Sequence, residues 1–346
     1  MNPFSLTFAK EPVSLISREQ QKNEIIEGFS EENPEFQVCM ITGVRGSGKT
    51  VLMTTIASDL AKEKNWIVVE LNPERDMLNA FAAELANRDE LRQIFKDAKL
   101  NLSFFGVGFE IDGVPPVTDV STAINGMLQS LTKRGKKILI TIDEAVSNKD
   151  MKIFVSEFQI LLRKNFNIFL LMTGLYENIY ELQNEKTLTF LYRAPKLVLK
   201  PLNINMVAYK YREVFDIKSE DALKMARLTC GYSYAFQVLG YLCFKQKRPY
   251  NEVLQDYDLY LEEYSYNKIW SELSNTDKKV LQSMASIDVD KVESIRKQCN
   301  IESNKFSVYR ERLIRKGVIE STEYGKLTFT LPRFKEFILR NHSKEE

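Results

Sequence analysis

Histidine and cysteine are scarce in this chain of 346 residues. The only histidine is His342, and the cysteines, Cys39, Cys230, Cys243 and Cys299, are far apart in sequence. Because there is no C-x-x-C pair and no second histidine, the sequence argues against a zinc site and against catalysis by a Ser-His or Cys-His pair. We expect the cysteines to be reduced thiols.

Long apolar runs and an excess of charge of one sign are also missing. No run approaches 18 apolar residues, and the N-terminus lacks the apolar centre of a signal peptide. The 48 basic and 47 acidic side chains give a formal net charge of +1, so a basic patch for nucleic acid has to be local. We therefore expect a cytoplasmic protein of two or three globular domains, without a membrane partner.

Short apolar runs alternate with helical patterns over residues 1–202. The apolar runs predict strands at 36–42, 66–71, 137–142, 167–173 and 196–199. These runs hardly alternate with polar residues, which is typical of strands buried on both faces of a parallel sheet. The intervening patterns predict helices at 49–63, 75–97, 117–133, 149–164 and 175–183. This order predicts a three-layer α/β domain, with a hairpin or exposed flap at 100–116.

The rest of the chain changes character twice. Residues 203–268 predict a helical subdomain with helices near 203–214, 218–229, 232–246 and 250–265. Residues 269–346 predict a helix capped by Thr276, helices at 290–299 and 304–316, strands at 317–321 and 326–331, and a helix at 333–341. Three helices followed by a β-hairpin are typical of a winged-helix domain.

A glycine-rich segment follows the first predicted strand and matches G-x-x-x-x-G-K-[ST]. In such a loop the backbone N–H groups turn inward around a phosphate, helped by the start of the next helix. Lys49 would reach the β- and γ-phosphates, and the Thr50 hydroxyl would bind Mg²⁺. The candidate nucleotide-binding residues of this segment are Gly43, Val44, Arg45, Gly46, Ser47, Gly48, Lys49, Thr50 and Val51.

A pair of carboxylates ends the third predicted strand. Asp143 would hold Mg²⁺, and Glu144 would orient and activate the attacking water as a general base; the alternative is an acidic turn. Adjacent carboxylates favour an ATP-hydrolysing P-loop domain of the additional-strand type, in which a further strand separates the P-loop strand from the Asp-Glu strand. The run 167–173 would supply that strand. Thr173 would then sense the γ-phosphate, or else merely end the strand.

Several marks together resemble the prokaryotic AAA+-related ATPases, which are relatives of archaeal initiator-type ATPases and of the STAND signalling ATPases. They are the segment 16–19, the phosphate loop, IDEA at 142–145, MTG at 172–174 and the segment from Arg193 to Leu202. The resemblance covers most of the chain. It implies an ATPase core at 1–202, a helical lid at 203–268 and a winged helix at 269–346, with ATP or ADP and Mg²⁺ as ligands.

The resemblance also implies roles for two arginines. Arg18 would lie near the adenine or ribose, and Arg193 would act as an arginine finger in trans or on the same chain; each could instead be a surface charge. The segment 230–235 resembles the start of a lid helix but lacks the arginine that initiator-type members use as sensor 2. That departure favours a more divergent relative.

The third helix of the C-terminal domain carries the candidate DNA contacts. Residues 270–346 contain 15 basic and 12 acidic side chains, which is a small excess of the sign expected for DNA binding. Lys305, Arg312 and Arg315 could contact phosphates or guanine edges of double-stranded DNA. The alternatives are a solvated face or a surface that docks proteins.

Two functions therefore stand side by side. The first is an ATPase in which Mg-dependent ATP binding and hydrolysis switch the lid and the winged helix, in one version on DNA. The second is a signalling scaffold that binds nucleotide with little hydrolysis and docks protein partners or a second copy of itself.

Overall fold

The computed structural model describes residues 1–7, 12–105, 113–287, 291–321 and 323–342. The chain forms two compact units. We call the unit made of Arg18–Thr42 and Lys49–Val198 the sheet unit. The helical unit contains Met1–Ser17, Gly43–Gly48 and Leu199–Glu346. The central part of the expected flap at 100–116 lies outside the described residues.

Five parallel strands form the sheet, each starting and ending within two residues of its prediction. They are β1 (Val38–Thr42), β2 (Trp66–Glu70), β3 (Lys137–Ile142), β4 (Ile168–Gly174) and β5 (Lys196–Val198). Their order is β2-β3-β4-β1-β5, so β4 lies between β1 and β3. This order confirms the additional strand between the P-loop strand and the Asp-Glu strand.

Helices connect the strands of the sheet unit. They are α1 (Glu19–Ser30), α2 (Lys49–Ala61), α3 (Met77–Ala86), α4 (Asp89–Asp97), α5 (Val120–Lys133), α6 (Lys149–Arg163) and α7 (Tyr176–Gln183). The single helix predicted at 75–97 is wrong. α3 ends at Ala86, with Asn87 as its C-cap, so the predicted helix is divided into α3 and α4. Between them, the Arg88 side chain donates a hydrogen bond to the carbonyl of Val68 and so connects this interhelical segment to β2.

Alternate strand residues face two layers of helices. On one side of the sheet, Ile140 and Leu170 join a buried core with Phe154 of α6. On the other side, the ring of Phe169 lies 5.3 Å from that of Phe29 in α1. The sheet therefore lies between two helical layers, which confirms the predicted three-layer arrangement.

Helices dominate the helical unit up to residue 271. They are α8 (Ile204–Phe215), α9 (Ser219–Arg227), α10 (Ser233–Gln246), α11 (Leu254–Leu261) and α12 (Asn267–Ser271). The helix predicted at 250–265 is interrupted, because a 3-10 turn precedes α11 and the π-helical turn Glu262–Tyr266 follows it. From the start of the chain, Phe4 packs its ring against Tyr211, Phe215 and Phe236 at 5.5 to 5.9 Å.

Three further helices, a hairpin and a last helix complete this unit. They are α13 (Asn275–Ser286), α14 (Val292–Cys299), α15 (Ser303–Arg315), β6 (Ile319–Glu320), β7 (Thr328–Phe329) and α16 (Phe334–Asn341). β6 and β7 are antiparallel and pair Ile319 with Phe329. Both strands are shorter than predicted, and the element order is the predicted one.

The helix cap predicted at Thr276 is wrong. The hydroxyl of Ser274 accepts a hydrogen bond from the N–H of Asp277 at 3.1 Å, and the Asp277 carboxylate accepts one from the N–H of Ser274. This capping box begins α13 one residue before Asn275, so Thr276 lies inside the first turn.

One apolar core runs through the helical unit. It includes Tyr257 from the predicted lid and Leu281 and Phe334 from the predicted C-terminal domain. The predicted domain boundaries at 202/203 and 268/269 remain predictions. Within the described ranges, no helix combines the length and the apolar character that a membrane crossing requires.

Candidate nucleotide site

The carboxylate of Asp143 accepts hydrogen bonds from two threonine hydroxyls. Thr50, in the first turn of α2, donates to Oδ2 at 2.8 Å. Thr173, near the end of β4, donates to Oδ1. Because Ile142 of β3 is in register with Met172 of β4, the two strands bring Asp143 and Thr173 to the same edge of the sheet. The parallel sheet thus assembles three side chains that are far apart in sequence.

Glu144 sits in a tight turn at the end of the Asp-Glu strand. Its φ angle is +50°, and its N–H donates to Asp143 Oδ1 at 3.0 Å and to Thr173 Oγ1 at 3.4 Å. A residue with a side chain pays on the order of 1 kcal/mol for such a left-handed backbone. The side chain of Glu144 is exposed, while Thr173 is fully buried. The turn therefore presents one carboxylate outward and holds the other in the threonine network.

The glycine-rich loop between β1 and α2 has the backbone that its sequence predicts. Gly46 and Gly48 have φ angles of +76° and +93°, which favour glycine. The N–H of Ser47 donates to the Val44 carbonyl at 3.1 Å and closes the turn. Lys49 begins α2 and is 9% exposed.

Three residues at the start of α10 bind the carbonyl groups of this loop. The Tyr232 hydroxyl donates to the Arg45 carbonyl at 2.7 Å, and the Ser233 hydroxyl donates to the Ser47 carbonyl at 3.0 Å. The N–H of Tyr234 donates to the Gly46 carbonyl at 3.1 Å. We call Tyr232, Ser233 and Tyr234 the clasp; sequence reasoning noted the segment 230–235 but did not predict these contacts.

A second tie joins the loop to the end of α12. The Arg45 guanidinium lies 3.1 Å from the Glu272 carboxylate. Both side chains are about one-third exposed, at 31% and 30%, so water screens this pair and it adds little stability. The main effect of the pair is to orient the Arg45 side chain, and its contribution to the stability of the fold is small.

The side chains present suit Mg²⁺ and a phosphate chain. Mg²⁺ prefers hard oxygen ligands, and Thr50 and Asp143 bring a hydroxyl and a carboxylate oxygen to within 2.8 Å of each other. A loop with two left-handed glycines followed by a helix start is a phosphate-binding arrangement.

The two candidate arginines differ in their exposure to solvent. Arg18 precedes α1, is half-buried, and burial lowers the pKa of its guanidinium. Arg193 ends the 3-10 helix Thr189–Arg193 and is exposed. Among the described residues, Arg193 takes no part in the hydrogen bonds that join Thr50, Asp143 and Thr173.

All three candidate DNA contacts of α15 pair with acidic side chains. Arg312 donates to Asp277, which is 1% exposed, through Nε at 3.0 Å and through a second nitrogen at 2.6 Å. A third bond from Arg312, at 2.8 Å, reaches the Ser274 hydroxyl. Arg312 therefore ties α15 to the start of α13, which is a structural role. Lys305 lies 3.4 Å from Glu302, and Arg315 bonds to Glu311.

A basic groove of about 540 Å³ lies between α14, α15 and the turn of the β6–β7 hairpin. Four basic side chains line it, together with one acidic residue and two serines of α15. They are Lys291, Arg296, Arg310, Lys326, Glu293, Ser303 and Ser307. The N–H of Val292 bonds to the Gly325 carbonyl at 2.8 Å and holds the hairpin turn beside α14. Sequence reasoning missed this groove, although Ser303, Ser307 and Arg310 have one-face helical spacing.

Comparison with known proteins agrees with this geometry. Residues 15–181 match the model of a family described as an ATPase domain predominantly from Archaea, and residues 263–338 match the model of a domain of unknown function. No curated protein matches the chain.

Solved structures share the fold along nearly the whole chain. The Walker-type ATPase PABY2304 of Pyrococcus abyssi is 17% identical, with a TM-score of 0.64 over 94% of this chain and 96% of that one. The ORC2 protein of Aeropyrum pernix, solved as ADPNP-ADP complexes, is 14% identical, with a TM-score of 0.57 over 96% of each chain. Residues 15–181 therefore match an archaeal-type ATPase domain, and the chain has a P-loop, AAA+-related fold. This confirms the resemblance predicted from the sequence.

Proposed function

We propose that the protein binds ATP with Mg²⁺ and hydrolyses it. The observation that carries this proposal is the Asp143 carboxylate held between the hydroxyls of Thr50 and Thr173. Residues 43–51 would wrap the phosphates, with Lys49 on the β- and γ-phosphates. Thr50 and Asp143 would hold Mg²⁺, which when bound neutralises phosphate charge.

The remaining roles concern the attacking water and the ends of the nucleotide. Glu144 would accept a proton from the water, and Thr173 would hold that water near the γ-phosphate. In this proposal Arg18 lies toward the adenine or ribose. Arg193 is the candidate arginine finger, and its exposure leaves it available to a neighbouring copy. Hydrolysis would then switch the lid and the C-terminal domain.

Turnover of Mg-ATP by the purified chain tests this function. Lys49→Ala should lose ATP binding, whereas Glu144→Gln should bind ATP but not hydrolyse it. The matched controls are Lys62→Ala and Glu63→Gln, because both residues are exposed and follow the end of α2. Wild-type protein that does not bind ATP would overturn the proposal.

A nucleotide-binding scaffold with little hydrolysis is the second candidate. It is favoured by the absence of an arginine from the segment 230–235, where initiator-type relatives place sensor 2. This function predicts tight ATP binding, a rate no higher than that of Glu144→Gln, and a nucleotide-dependent protein partner or self-association.

The basic groove supports an additional role in binding double-stranded DNA. We propose that α13–α15 and the hairpin act as a winged helix whose groove residues Arg310 and Lys326 contact phosphates. Arg310 favours this because its Nε is buried and has no hydrogen-bond partner in the described part of the chain. Lys305 and Arg315 remain secondary candidates, since neither is among the residues that line the groove. Lys326, which lines the groove, also pairs with Glu323 at 2.8 Å.

Salt-dependent binding of duplex DNA tests the groove. Arg310→Gln and Lys326→Gln should each weaken binding and lower the slope of log K against log salt by about one. Lys133→Gln, an exposed lysine in α5 of the sheet unit, serves as the control and should leave the slope unchanged. Equal effects of all three substitutions, or no binding, would favour protein docking instead.

A further inference from the structure

We propose that Tyr232 and Ser233 are positioning residues for the phosphate loop. By holding its carbonyl groups, they make nucleotide affinity depend on the helix that carries them. This inference rests on the proposed function, because it concerns how the same loop is prepared for a phosphate. All of the contacts lie within the helical unit, which includes loop residues 43–48.

The clasp donates hydrogen bonds to three consecutive carbonyl oxygens of the loop. The carbonyls of Arg45, Gly46 and Ser47 accept hydrogen bonds from Tyr232, Tyr234 and Ser233, respectively. A trans peptide presents its C=O and its N–H on opposite sides, and the oxygens of Arg45 and Ser47 belong to the peptides whose N–H groups are those of residues 46 and 48. The N–H of Ser47 already bonds to the Val44 carbonyl. The clasp therefore holds the peptides of residues 46 and 48 from the side opposite to their N–H groups.

The Tyr232 bond is one link of a short chain of hydroxyls. Tyr232 Oη lies 2.7 Å from Ser265 Oγ as well as 2.7 Å from the Arg45 carbonyl. Since a tyrosine hydroxyl has one hydrogen to donate, Ser265 donates to Tyr232 while Tyr232 donates to the loop. The Tyr232 hydroxyl is protonated at neutral pH, and burial raises its pKa further above the ordinary value. Hydrogen bonds in such a chain polarise one another, and a carbonyl that accepts a bond makes the N–H of its own peptide a stronger donor.

The fit at Gly46 shows how closely the clasp follows the loop. A Cβ atom on Gly46 would lie 2.4 Å from Tyr232 Oη and 3.0 Å from Tyr234 Cβ. The φ angle of +76° favours glycine at this position, and the clasp leaves no space for a side chain. The clasp therefore packs closely against the loop in this conformation, and any coupling between loop and helix is reciprocal by thermodynamic necessity.

Nucleotide titration of two clasp variants tests this inference. Tyr232→Phe and Ser233→Ala each remove one hydrogen bond to the loop, and each should weaken ATP binding about fivefold. Ser233→Thr keeps the hydroxyl and should restore the affinity. Tyr211→Phe is the matched control, because its hydroxyl donates at 2.8 Å to the Phe236 carbonyl of the same α10 without touching the loop. Ser283→Ala, which loses a 2.9 Å bond to the Lys279 carbonyl, controls for the serine.

Hydrogen exchange separates positioning from simple destabilisation. At equal melting temperature, the amides of residues 44–48 should exchange faster in Tyr232→Phe than in wild type and in Tyr211→Phe. ATP should in turn slow exchange at residues 230–234 in wild type but not in Lys49→Ala. If wild type binds ATP and the clasp variants match their controls in both assays, the inference is wrong. If wild type does not bind ATP, the proposed function fails instead.

Discussion

The hydroxyl of Thr50 and the carboxylate of Asp143 lie 2.8 Å apart, although 93 positions separate them in the sequence. Thr50 belongs to α2, and Asp143 follows β3, so the pair meets only when the sheet that positions both elements has assembled. The second oxygen of Asp143 binds the Thr173 hydroxyl. This three-residue network suggests substitutions that separate metal binding, catalysis and folding.

Replacing Asp143 with Asn should abolish Mg-dependent turnover while the fold persists. Asparagine keeps an oxygen that Thr50 or Thr173 can bond, but it lacks the charge that holds Mg²⁺. We expect at least a 100-fold lower rate and a Mg²⁺ requirement shifted to higher concentration, measured by phosphate release against Mg²⁺. Asp150→Asn, in the first turn of α6, is the control. An unchanged Mg²⁺ dependence would remove Asp143 from the metal site.

Glu144→Gly should separate stability from activity. Glycine relieves the left-handed backbone at φ +50°, so thermal unfolding should show a gain on the order of 1 kcal/mol. The same change removes the proposed base, so ATP turnover should fall to the level of Glu144→Gln. A fully active Glu144→Gly variant would exclude Glu144 as the base, and a large loss of stability would contradict the account of the turn.

Arg312→Ala should destabilise the helical unit by about 2 kcal/mol. It leaves the carboxylate of Asp277, 1% exposed, without its cationic partner; the estimate is reduced because Arg312 itself is 35% exposed. Arg315→Ala removes an exposed pair with Glu311 and should cost less than 0.5 kcal/mol in chemical denaturation. A larger loss of stability in Arg312→Ala than in Arg315→Ala would show that Arg312 has a structural role. If Arg312 served only as a DNA contact, its substitution would change DNA affinity and leave stability unaltered.

The single histidine offers a direct pH measurement. Its imidazole stacks on Trp270 at 4.4 Å; burial and Lys278 lower the pKa of His342, while Glu262 acts in the opposite direction. Folding therefore favours the neutral ring. The stability this contributes is present above the unfolded pKa of about 6.5 and is lost as pH falls through the lower folded value. Proton NMR should show one imidazole titrating below 6.5, and His342→Gln should reduce the loss of stability between pH 7 and pH 5.5.

Local patterns predicted the strands of the sheet and the glycine-rich loop, because buried parallel strands and phosphate loops leave contiguous signatures. The position of β4 between β1 and β3 was predicted from the adjacent carboxylates Asp143 and Glu144, which favour the additional-strand type. The helix predicted at 75–97 was wrong because apolar spacing continues through Leu85 and Leu91, while the break depends on Arg88 bonding to the distant Val68 carbonyl. The cap predicted at Thr276 was wrong because Ser274, two residues earlier, also offers a hydroxyl and is the N-cap residue of the helix.

The clasp and the basic groove could not be predicted from spacing. The clasp joins Tyr232 to Arg45 through a backbone carbonyl, and a carbonyl leaves no mark in a sequence. The groove depends on the hairpin turn bringing Lys326 beside Lys291, which are bridged as an isolated pair. Charge on α15 was visible, yet only the structure shows that Arg312 turns to Asp277.

The strand order also has a consequence for the growing polypeptide on the ribosome. Among the described strands, β1 pairs with β4 and β5 alone. Val38 therefore cannot pair until Leu170 has been synthesised, and Met40 cannot pair until Lys196 has. Phe4 remains unpacked for longer, because its ring packs against Phe236, which is synthesised later still. A nascent chain of about 150 residues would thus expose β1 as an unpaired apolar segment, and such segments recruit chaperones or aggregate. Synthesis of this protein therefore includes an interval in which the strand leading into the glycine-rich loop has no partner strand.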